Sequence, residues 1–347
     1  MKSNRTNALG LVIVIGMLAV MLLIVFQNND WQTILNTLKA LNPWWLAGAV
    51  ACWVGNLFFD GLGFYHYLHR RGYPVSRGYA FYTALMGAFY SGLTPGSSGG
   101  QPMQVYYLKK RQVPVSVSTS VISIKFILGQ LSTVILVPIL WIVNHDYVNA
   151  QLGGVKWLIL IGWLVHLAGV VLTLLITFCR PMIQRPADWV VRTGGKMRLI
   201  RDEKAAREKL ERMLGSFHAN VMSLGKSPLE LAQLTVTSIL SLGLLMAVII
   251  CVYHAFHLEG VSWLNLITTA YMLYLSASFN PLPGASGAQE GGFLVFYRGL
   301  FAPGQISLAM LVWRLISYHL SLLAGACASA AVSLRSMRAK KTTEGEK

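Results

Sequence analysis

Long apolar segments dominate this chain, and shorter polar segments separate them. The uninterrupted apolar runs lie at 8–26, 44–67, 115–143, 155–178, 229–256 and 305–334. An α-helix needs about 20 predominantly apolar residues to cross a bilayer, and each of these runs is about that long. The pattern therefore predicts an all-α integral membrane protein with about six full transmembrane helices.

Two further apolar segments, 79–108 and 263–299, are each broken by a stretch of glycine, proline and serine. The stretch in the first segment reads Thr94-Pro95-Gly96-Ser97-Ser98-Gly99-Gly100-Gln101. Non-helical backbone at membrane depth is tolerated only where it is buried in protein or lines a cavity. We therefore predict that each segment is a re-entrant helical hairpin with the broken stretch at its tip.

The broken stretch occurs twice. The second copy reads Pro283-Gly284-Ala285-Ser286-Gly287-Ala288-Gln289 and shares five of seven residues with the stretch that begins at Pro95. One inserted residue later, Pro114 falls on Pro303 and Lys125 falls on Arg314. Self-similarity over such a length indicates a duplicated architecture. We assign repeat one to 44–143 and repeat two to 229–333, within a single polytopic membrane domain of residues 1–347.

The basic residues predict how the repeats are oriented. The chain has 29 lysines and arginines, and this layout places 24 of them on one side and three (Lys39, Lys156, Arg298) on the other. Cytoplasmic loops of membrane proteins collect basic residues, so both termini are expected to be cytoplasmic. The first hairpin then enters from the inside and the second from the outside, which makes the repeat inverted. The net charge of +16 thus reports topology and anionic lipid nearby, and it is not read as a sign of nucleic-acid binding.

The segment 180–228 is a basic cytoplasmic connector. Within it, apolar residues recur at helical spacing, with charges on the other face. These apolar residues are Leu210, Met213, Leu214, Phe217 and Val221. Two alternatives stay open, namely an amphipathic helix lying on the inner leaflet and a connector helix that packs on its own protein.

Two cations are expected inside the membrane. Lys125 and Arg314 each stand 11 residues after a proline, which puts both roughly 16 Å deep, near the midplane, from opposite faces. A charge there costs at least about 2.5–3.5 kcal/mol on insertion scales, so a function is the default hypothesis. Asp60 and Glu290 are the acids available as partners, and pairing for packing alone is the alternative. Cations at equivalent positions favour an anion site that suits a phosphate head group.

Inverted repeats with broken helices that meet near the midplane are typical of alternating-access transporters. The half-helix N-termini carry free N–H groups that attract anions, and glycine lets a ligand approach the backbone. The predicted substrate-binding residues are Pro95, Gly96, Ser97, Ser98, Gly99, Gly100, Gln101, Lys125, Pro283, Gly284, Ser286, Gly287, Gln289, Glu290 and Arg314. We predict no catalytic residue, no metal site and no cofactor, and we interpret the four cysteines as small apolar residues.

The two broken stretches, with Tyr107-Leu108-Lys109-Lys110 after the first and Asn280-Pro281-Leu282 before the second, resemble the transmembrane, flippase-like region of the lysylphosphatidylglycerol synthase family. Full-length members of that family make lysylphosphatidylglycerol from lysyl-tRNA and phosphatidylglycerol and move it to the outer leaflet, which protects bacteria against cationic antimicrobial peptides. Their synthase domain is large, soluble and C-terminal. Because the sequence stops at Lys347, soon after its last expected helix, we expect that domain to be absent. The resemblance implies a flippase-like protein of the bacterial cell membrane.

The expected substrate is an anionic or aminoacylated phospholipid or another lipid-linked phosphate. Compatible partners are anionic phospholipids, a second copy of the chain and a separate lipid-modifying enzyme. Three alternatives stay open: the membrane part of a phosphatidylglycerol lysyltransferase system, a non-transporting scaffold or regulatory subunit, and an intramembrane serine protease. The last rests on two Gly-x-Ser-Gly sequences that end at Gly99 and Gly287, and on His166 as a base.

Overall fold

The structure is a computed structural model that describes residues 30–179, 203–302 and 304–345, together with scattered positions in 16–27 and 181–193. This part of the chain is mainly helical and contains no strand. The helices are α1 (Trp31–Ala40), α2 (Pro43–Arg70), α3 (Arg77–Leu93), α4 (Gly100–Lys109), α5 (Val115–Val143), α6 (His145–Leu152), α7 (Lys156–Phe178), α8 (Glu203–Gly225), α9 (Pro228–Ala255), α10 (Trp263–Ala277), α11 (Ala288–Phe296), α12 (Gln305–Arg314) and α13 (Leu320–Gly345).

Five helical stretches in the described part are long and apolar enough to cross a membrane. They are Pro43–Arg70, Val115–Val143, His145–Phe178, Pro228–Ala255 and Gln305–Val332. Each covers all or nearly all of one of the expected crossings. Most residues of the sixth expected crossing, 8–26, lie outside the described part. The protein is therefore an all-α, multi-pass membrane protein.

The polar stretches 28–42 and 144–154, which separate successive apolar runs, are expected from the sequence to be short outer loops, but both are largely helical. α1 occupies most of 28–42 and turns Ile34 into the protein, and α6 occupies most of 144–154 and buries Val148 and Leu152. The expectation was wrong because both segments are polar on average. Their few apolar side chains lie one turn or so apart, which is enough for a short helix to pack on the bundle.

The two halves of the chain have the same order of elements. In the first half, a long helix (α2) precedes α3, a 3₁₀ turn at Pro95–Ser97, α4 and the long helix α5. In the second half, α9 precedes α10, a 3₁₀ turn at Pro283–Ala285, α11 and α12. The helices α2 and α9 form the most extensive helix pair of the bundle. Asn56 and Ser241 bond reciprocally across this pair, with the Asn56 amide donating to the Ser241 carbonyl at 2.8 Å and the Ser241 hydroxyl donating to the Asn56 carbonyl at 3.0 Å.

Neither broken segment contains a helix long enough to cross. The first is α3 and α4, with 17 and 10 residues, and the second is α10 and α11, with 15 and 9 residues. All four fall short of the roughly 20 residues that a crossing needs. In the second tip Pro283 and Ser286 are buried, and in the first tip Gly96 and Ser97 line the cavities described below, which fits the requirement that non-helical backbone at membrane depth be buried in protein or line a cavity.

Helix α8 packs its apolar face on its own protein. Val221 and Leu224 are fully buried, and Phe217 packs partly buried against the same cluster. The Ser120 hydroxyl of α5 also lies 3.2 Å from the Phe217 carbonyl. Of the two alternatives for this segment, the packing at the C-terminal end of α8 favours the connector helix, because Val221 and Leu224 are covered there, whereas Met213, earlier on the same face, is 40% exposed. Residues 194–202 of the segment lie outside the described part.

Candidate functional site

The two tips adopt the same backbone turn. Gly96 and Gly284, at equivalent positions, have φ of 58° and 62°, and the residues that follow them, Ser97 and Ala285, have φ of 55° and 52°. Two successive left-handed residues are costly for side chains with a Cβ, so the turn is specific rather than a generic loop. The repeat seen in the sequence therefore extends to the backbone conformation.

The first tip is held by hydroxyl groups. The Thr94 hydroxyl accepts from the Gly99 amide at 2.8 Å, and the Ser98 hydroxyl donates to the Pro95 carbonyl at 2.9 Å. These contacts take up polar groups of the broken backbone that have no helical partner. Ser98 is thus committed to the turn.

The second tip is held by a carboxylate. Glu290 Oε2 accepts from the Gly287 amide at 2.5 Å, and the Ser286 hydroxyl donates to the Pro283 carbonyl at 2.7 Å. Gly287 has φ of 86°, whereas its equivalent Gly99 has φ of −81°, so the repeats diverge at this position. The second tip is therefore anchored by a charged group where the first uses a hydroxyl.

The two tips touch each other. The Gly96 amide donates to the Pro281 carbonyl at 2.8 Å, which joins the backbones of the two hairpins. The Tyr318 hydroxyl, which follows α12, donates to the Gly92 carbonyl in the first hairpin at 2.8 Å. The same ring covers Gly284, because a Cβ built on that glycine would lie 2.3 Å from a Tyr318 ring carbon. Tyr318 therefore bridges both hairpins.

Both buried cations are paired with the acids expected as their partners. The Lys125 ammonium bonds to Asp60, and Gln104 Nε2 donates to the second carboxylate oxygen of Asp60 at 3.1 Å. Arg314 Nε donates to Glu290 Oε1 at 2.6 Å, and its Nη2 donates to the Gly284 carbonyl at 2.6 Å. Arg314 therefore clamps the second tip, and each of the two cations is paired with an acid in this conformation.

The two pairs differ in exposure. The Asp60 side chain is 28% exposed and its Lys125 partner 10%, whereas Arg314 and Glu290 are 6% and 5% exposed. In the first pair the carboxylate of Asp60 is therefore the more exposed of the two charged groups. In the second pair both side chains are buried, so removal of one member leaves the other as a buried charge without a counter-charge.

Two neighbouring cavities meet at the tips. The Lys125 cavity, of about 370 Å³, is lined by Asp60, Ser97, Gly100, Gln101 and Lys125 among others. The Arg314 cavity, of about 480 Å³, is lined by Gly96, Ser97, Gly284, Gln289 and Arg314 among others. Both cavities share the side chains of Ser97, Phe126, Gln130, Leu245 and Tyr274. The remaining predicted residues line neither cavity and instead shape the tips. They are Pro95, Ser98, Gly99, Pro283, Ser286, Gly287 and Glu290.

The serine-protease alternative requires His166 to contact a serine of a Gly-x-Ser-Gly sequence. The hydroxyls of Ser98 and Ser286 instead donate to carbonyls within their own turns. His166 has Gln130 and Ser278 as partners. The geometry therefore gives no support to a nucleophile activated by this histidine.

The sequence reasoning missed several cavity residues. Asn56, Gln104 and Gln130 line the Lys125 cavity, and Ser278 and Tyr318 line the Arg314 cavity. A signal for the first three was available, since each is an amide side chain inside an otherwise apolar or motif-bearing helix. Polar residues at membrane depth are functional candidates by default. Tyr318 had no such signal, because an aromatic residue in an apolar helix is ordinary.

Comparison with known proteins identifies related chains. Residues 7–325 match the profile of a family described as the lysylphosphatidylglycerol synthase TM region. A protein of Archaeoglobus fulgidus described as a UPF0104 membrane protein is 24% identical, over 74% of this chain and 76% of its own length. The family match covers both tips, the first four described transmembrane stretches in full and the fifth as far as residue 325.

Proposed function

This chain belongs to the lysylphosphatidylglycerol synthase TM region family, and from that membership and the site's geometry we propose that it moves a phosphate-bearing lipid between the leaflets of a membrane. The substrate would be an anionic or aminoacylated phospholipid, such as lysylphosphatidylglycerol, or another lipid-linked phosphate. The observation that carries the proposal is the contact between the tips, with a cavity on each side of it and a buried cation in each cavity.

The Arg314 cavity suits the phosphate. Guanidinium is the side chain best shaped for phosphate oxygens, and here it is already fixed by Glu290 and the Gly284 carbonyl. Ser317 adds a buried hydroxyl on this cavity that has no hydrogen-bond partner among the described residues. A phosphate group could accept from both without displacing Glu290.

The Lys125 cavity suits the rest of the head group. Its exposed carboxylate, Asp60, and the amide side chains of Asn56, Gln101 and Gln104 offer both acceptors and donors. An ammonium group on the lipid would compete with Lys125 for Asp60. This arrangement favours a lipid that carries a positive group as well as a phosphate.

Movement of the head group requires the tips to separate. The tips are joined by a main-chain hydrogen bond and by Tyr318, both of which can break and reform without disrupting a helix. Separation would join the two cavities into one path. In an inverted repeat, opening of one hairpin and closing of the other gives alternating access.

We place the protein in the bacterial cell membrane with both termini cytoplasmic, on the support of the basic-residue count. Export of a positively charged lipid would lower the negative charge of the outer leaflet. The protein would thereby contribute to resistance against cationic antimicrobial peptides.

A direct test is leaflet-resolved transport in proteoliposomes with fluorescent lipids of several head groups. We expect faster equilibration than in protein-free vesicles, and we expect head groups that carry a phosphate plus an amine to be moved fastest. The matched control is the Arg314→Lys variant, which keeps the charge but lacks the planar fork and should lose head-group preference. A folded protein that moves none of these lipids would favour the scaffold alternative.

The orientation of the hairpins is tested separately by labelling single cysteines. A cysteine at Ser97 should react faster with a membrane-impermeant reagent added from the inside, and a cysteine at Ala285 faster from the outside. The expectation follows from the basic residues at both ends of the first hairpin. Preferential reaction of both cysteines from the same face would contradict the inverted arrangement.

A further inference from the structure

A buried histidine joins three helices beside the second tip. His166 of α7 is 6% exposed and lines the Arg314 cavity. Its Nδ1 lies 3.0 Å from the Ser278 hydroxyl at the end of α10, and its Nε2 lies 3.1 Å from the Gln130 amide nitrogen of α5. Both ring nitrogens are therefore engaged by side chains of neighbouring helices.

The hydrogen-bond pattern fixes where the ring carries its proton. The Ser278 hydroxyl donates to the Leu275 carbonyl at 2.5 Å, so it must accept from the ring, and the proton lies on Nδ1. Nε2 then has a lone pair, which accepts from the Gln130 amide. The neutral ring is satisfied at both nitrogens in this conformation.

A second proton can be added at Nε2 only if the side-chain amide of Gln130 changes its orientation. The amide N–H of Gln130 would then face another donor, and a half-turn of the amide would bring its oxygen to the ring instead. Gln130 lines both cavities, so this rotation exchanges a donor for an acceptor at the place where the cavities meet. The charge state of the His166 ring therefore determines whether the Gln130 amide presents a donor or an acceptor to both cavities.

The surroundings contain other ionisable groups. The Tyr274 ring lies 5.9 Å from the imidazole, Arg314 lines the same cavity and is paired with Glu290 behind it, and Lys125 and Asp60 line the next cavity. Within the described part of the chain, neither carboxylate bonds to His166. A protonated ring would thus face Arg314 across the cavity without a counter-charge of its own.

The histidine also bears on the second tip. Ser278 follows the last residue of α10 and stands two positions before Asn280, whose side chain donates to the Ser286 carbonyl inside the tip. One turn away on α7, Gly162 packs so closely that a Cβ would lie 2.5 Å from the Leu275 carbonyl. A change in the protonation of His166 therefore affects the C-terminal end of α10, where the second hairpin begins to bend.

We propose that His166 is a proton-binding site that couples proton uptake to opening of the second hairpin. A proton from water in the Arg314 cavity adds to Nε2, and the same proton leaves when the hairpin closes again, with no other bond made or broken. Repulsion between the charged ring and Arg314 loosens the tip. The coupling to lipid movement, as distinct from the proton switch itself, rests on the proposed function.

The switch is tested without any lipid assay. In full-length protein whose four native cysteines are replaced, a cysteine at Ala285 is labelled at several pH values from about pH 5 to about pH 8, which spans the range in which histidine ordinarily titrates. The labelling rate, divided by that of the same cysteine in the His166→Gln variant, should rise by roughly fivefold or more on acidification. Glutamine keeps a hydrogen-bonding side chain at the position but binds no proton, and the ratio cancels the thiol's own pH dependence.

Two further variants sharpen the result. His254→Gln is the matched control, because both ring nitrogens of His254 are also bonded, to the Leu258 carbonyl and to Trp263, yet it lines neither cavity. It should behave as the wild type. Gln130→Glu offers a carboxylate that holds the ring protonated, so its rate should stay at the fast value at all these pH values. A wild-type ratio that does not change with pH, or a Gln130→Glu ratio that still changes with pH as the wild-type ratio does, would overturn the proposal.

Transport then tests the coupling. Vesicles with fluorescent phosphatidylglycerol or fluorescent lysylphosphatidylglycerol are given an imposed pH gradient of either sign. Wild-type rates should differ between the two signs by roughly fivefold or more, and His166→Gln should remove the difference. A pH-dependent tip in a protein that moves no lipid would refute the proposed function and leave the proton switch intact, whereas transport that ignores the gradient would refute the coupling.

Discussion

Gly284→Ala should destabilise the protein by about 2–5 kcal/mol, whereas the equivalent Gly96→Ala should cost only about 1–2 kcal/mol. Both glycines have left-handed φ, so each substitution carries the same backbone strain. They differ in the space around them. A Cβ on Gly96 meets no atom within 4 Å, while a Cβ on Gly284 lies 2.3–2.9 Å from three atoms of the Tyr318 side chain. Thermal unfolding in detergent measures the difference.

Gly96→Ala is the matched control for Gly284→Ala, because the mutation, the turn and the position in the repeat are the same. Tyr318→Leu in the Gly284→Ala background removes the ring and should recover part of the lost stability, which gives a non-additive double-mutant cycle. Equal destabilisation by the two alanine variants would mean that the Tyr318 ring does not press on the second tip. The transport rate of Gly96→Ala should remain the higher of the two, since its tip can still adopt the turn.

Arg314→Ala should destabilise the protein by about 3–5 kcal/mol, because it leaves Glu290 buried without its cation. The Gly284 carbonyl also loses a donor. Lys125→Ala should cost clearly less, since Asp60 is 28% exposed and keeps the bond from Gln104. The sequence treats these two cations as equivalent, and the exposure of their acids makes them unequal.

Neutralising the acid separates packing from function. Arg314→Met with Glu290→Gln should recover much of the thermal stability lost in Arg314→Ala, because no lone charge remains buried. Lipid movement should stay low in this double variant, since the phosphate still lacks its counter-charge. Lys125→Met with Asp60→Asn is the matched pair in the other cavity. Full transport in a stable Arg314→Met/Glu290→Gln protein would remove the arginine from the mechanism.

The long helices and the positions of the tips could be predicted from the sequence. A run such as 115–143 has one solution in a bilayer, and α5 begins and ends at those residues. The broken stretches had to lie within protein, and the acids Asp60 and Glu290 were among the few groups available to pair the cations. These features follow from local composition and from the absence of other partners at membrane depth.

The contact between the tips could not be predicted in the same way. The bond from the Gly96 amide to the Pro281 carbonyl joins residues 185 positions apart and involves no side chain, so no pattern of residue types marks it. The bridge made by Gln130, His166 and Ser278 was also missed, because each residue alone is an ordinary polar residue in a helix. Their joint meaning depends on how α5, α7 and α10 pack, which periodicity does not specify.

The bond between the tips also has a consequence for how the protein can be observed. Because donor and acceptor are both main-chain atoms, only proline at position 96, which has no backbone N–H, deletes the bond outright, and other single substitutions leave its donor and acceptor in place. Hydrogen exchange at the Gly96 amide instead reports directly whether this bond is formed. Its deuterium uptake should be slow while the tips touch and should accelerate only in molecules that part them, so exchange at this one amide counts opening events in the unlabelled, unmutated protein.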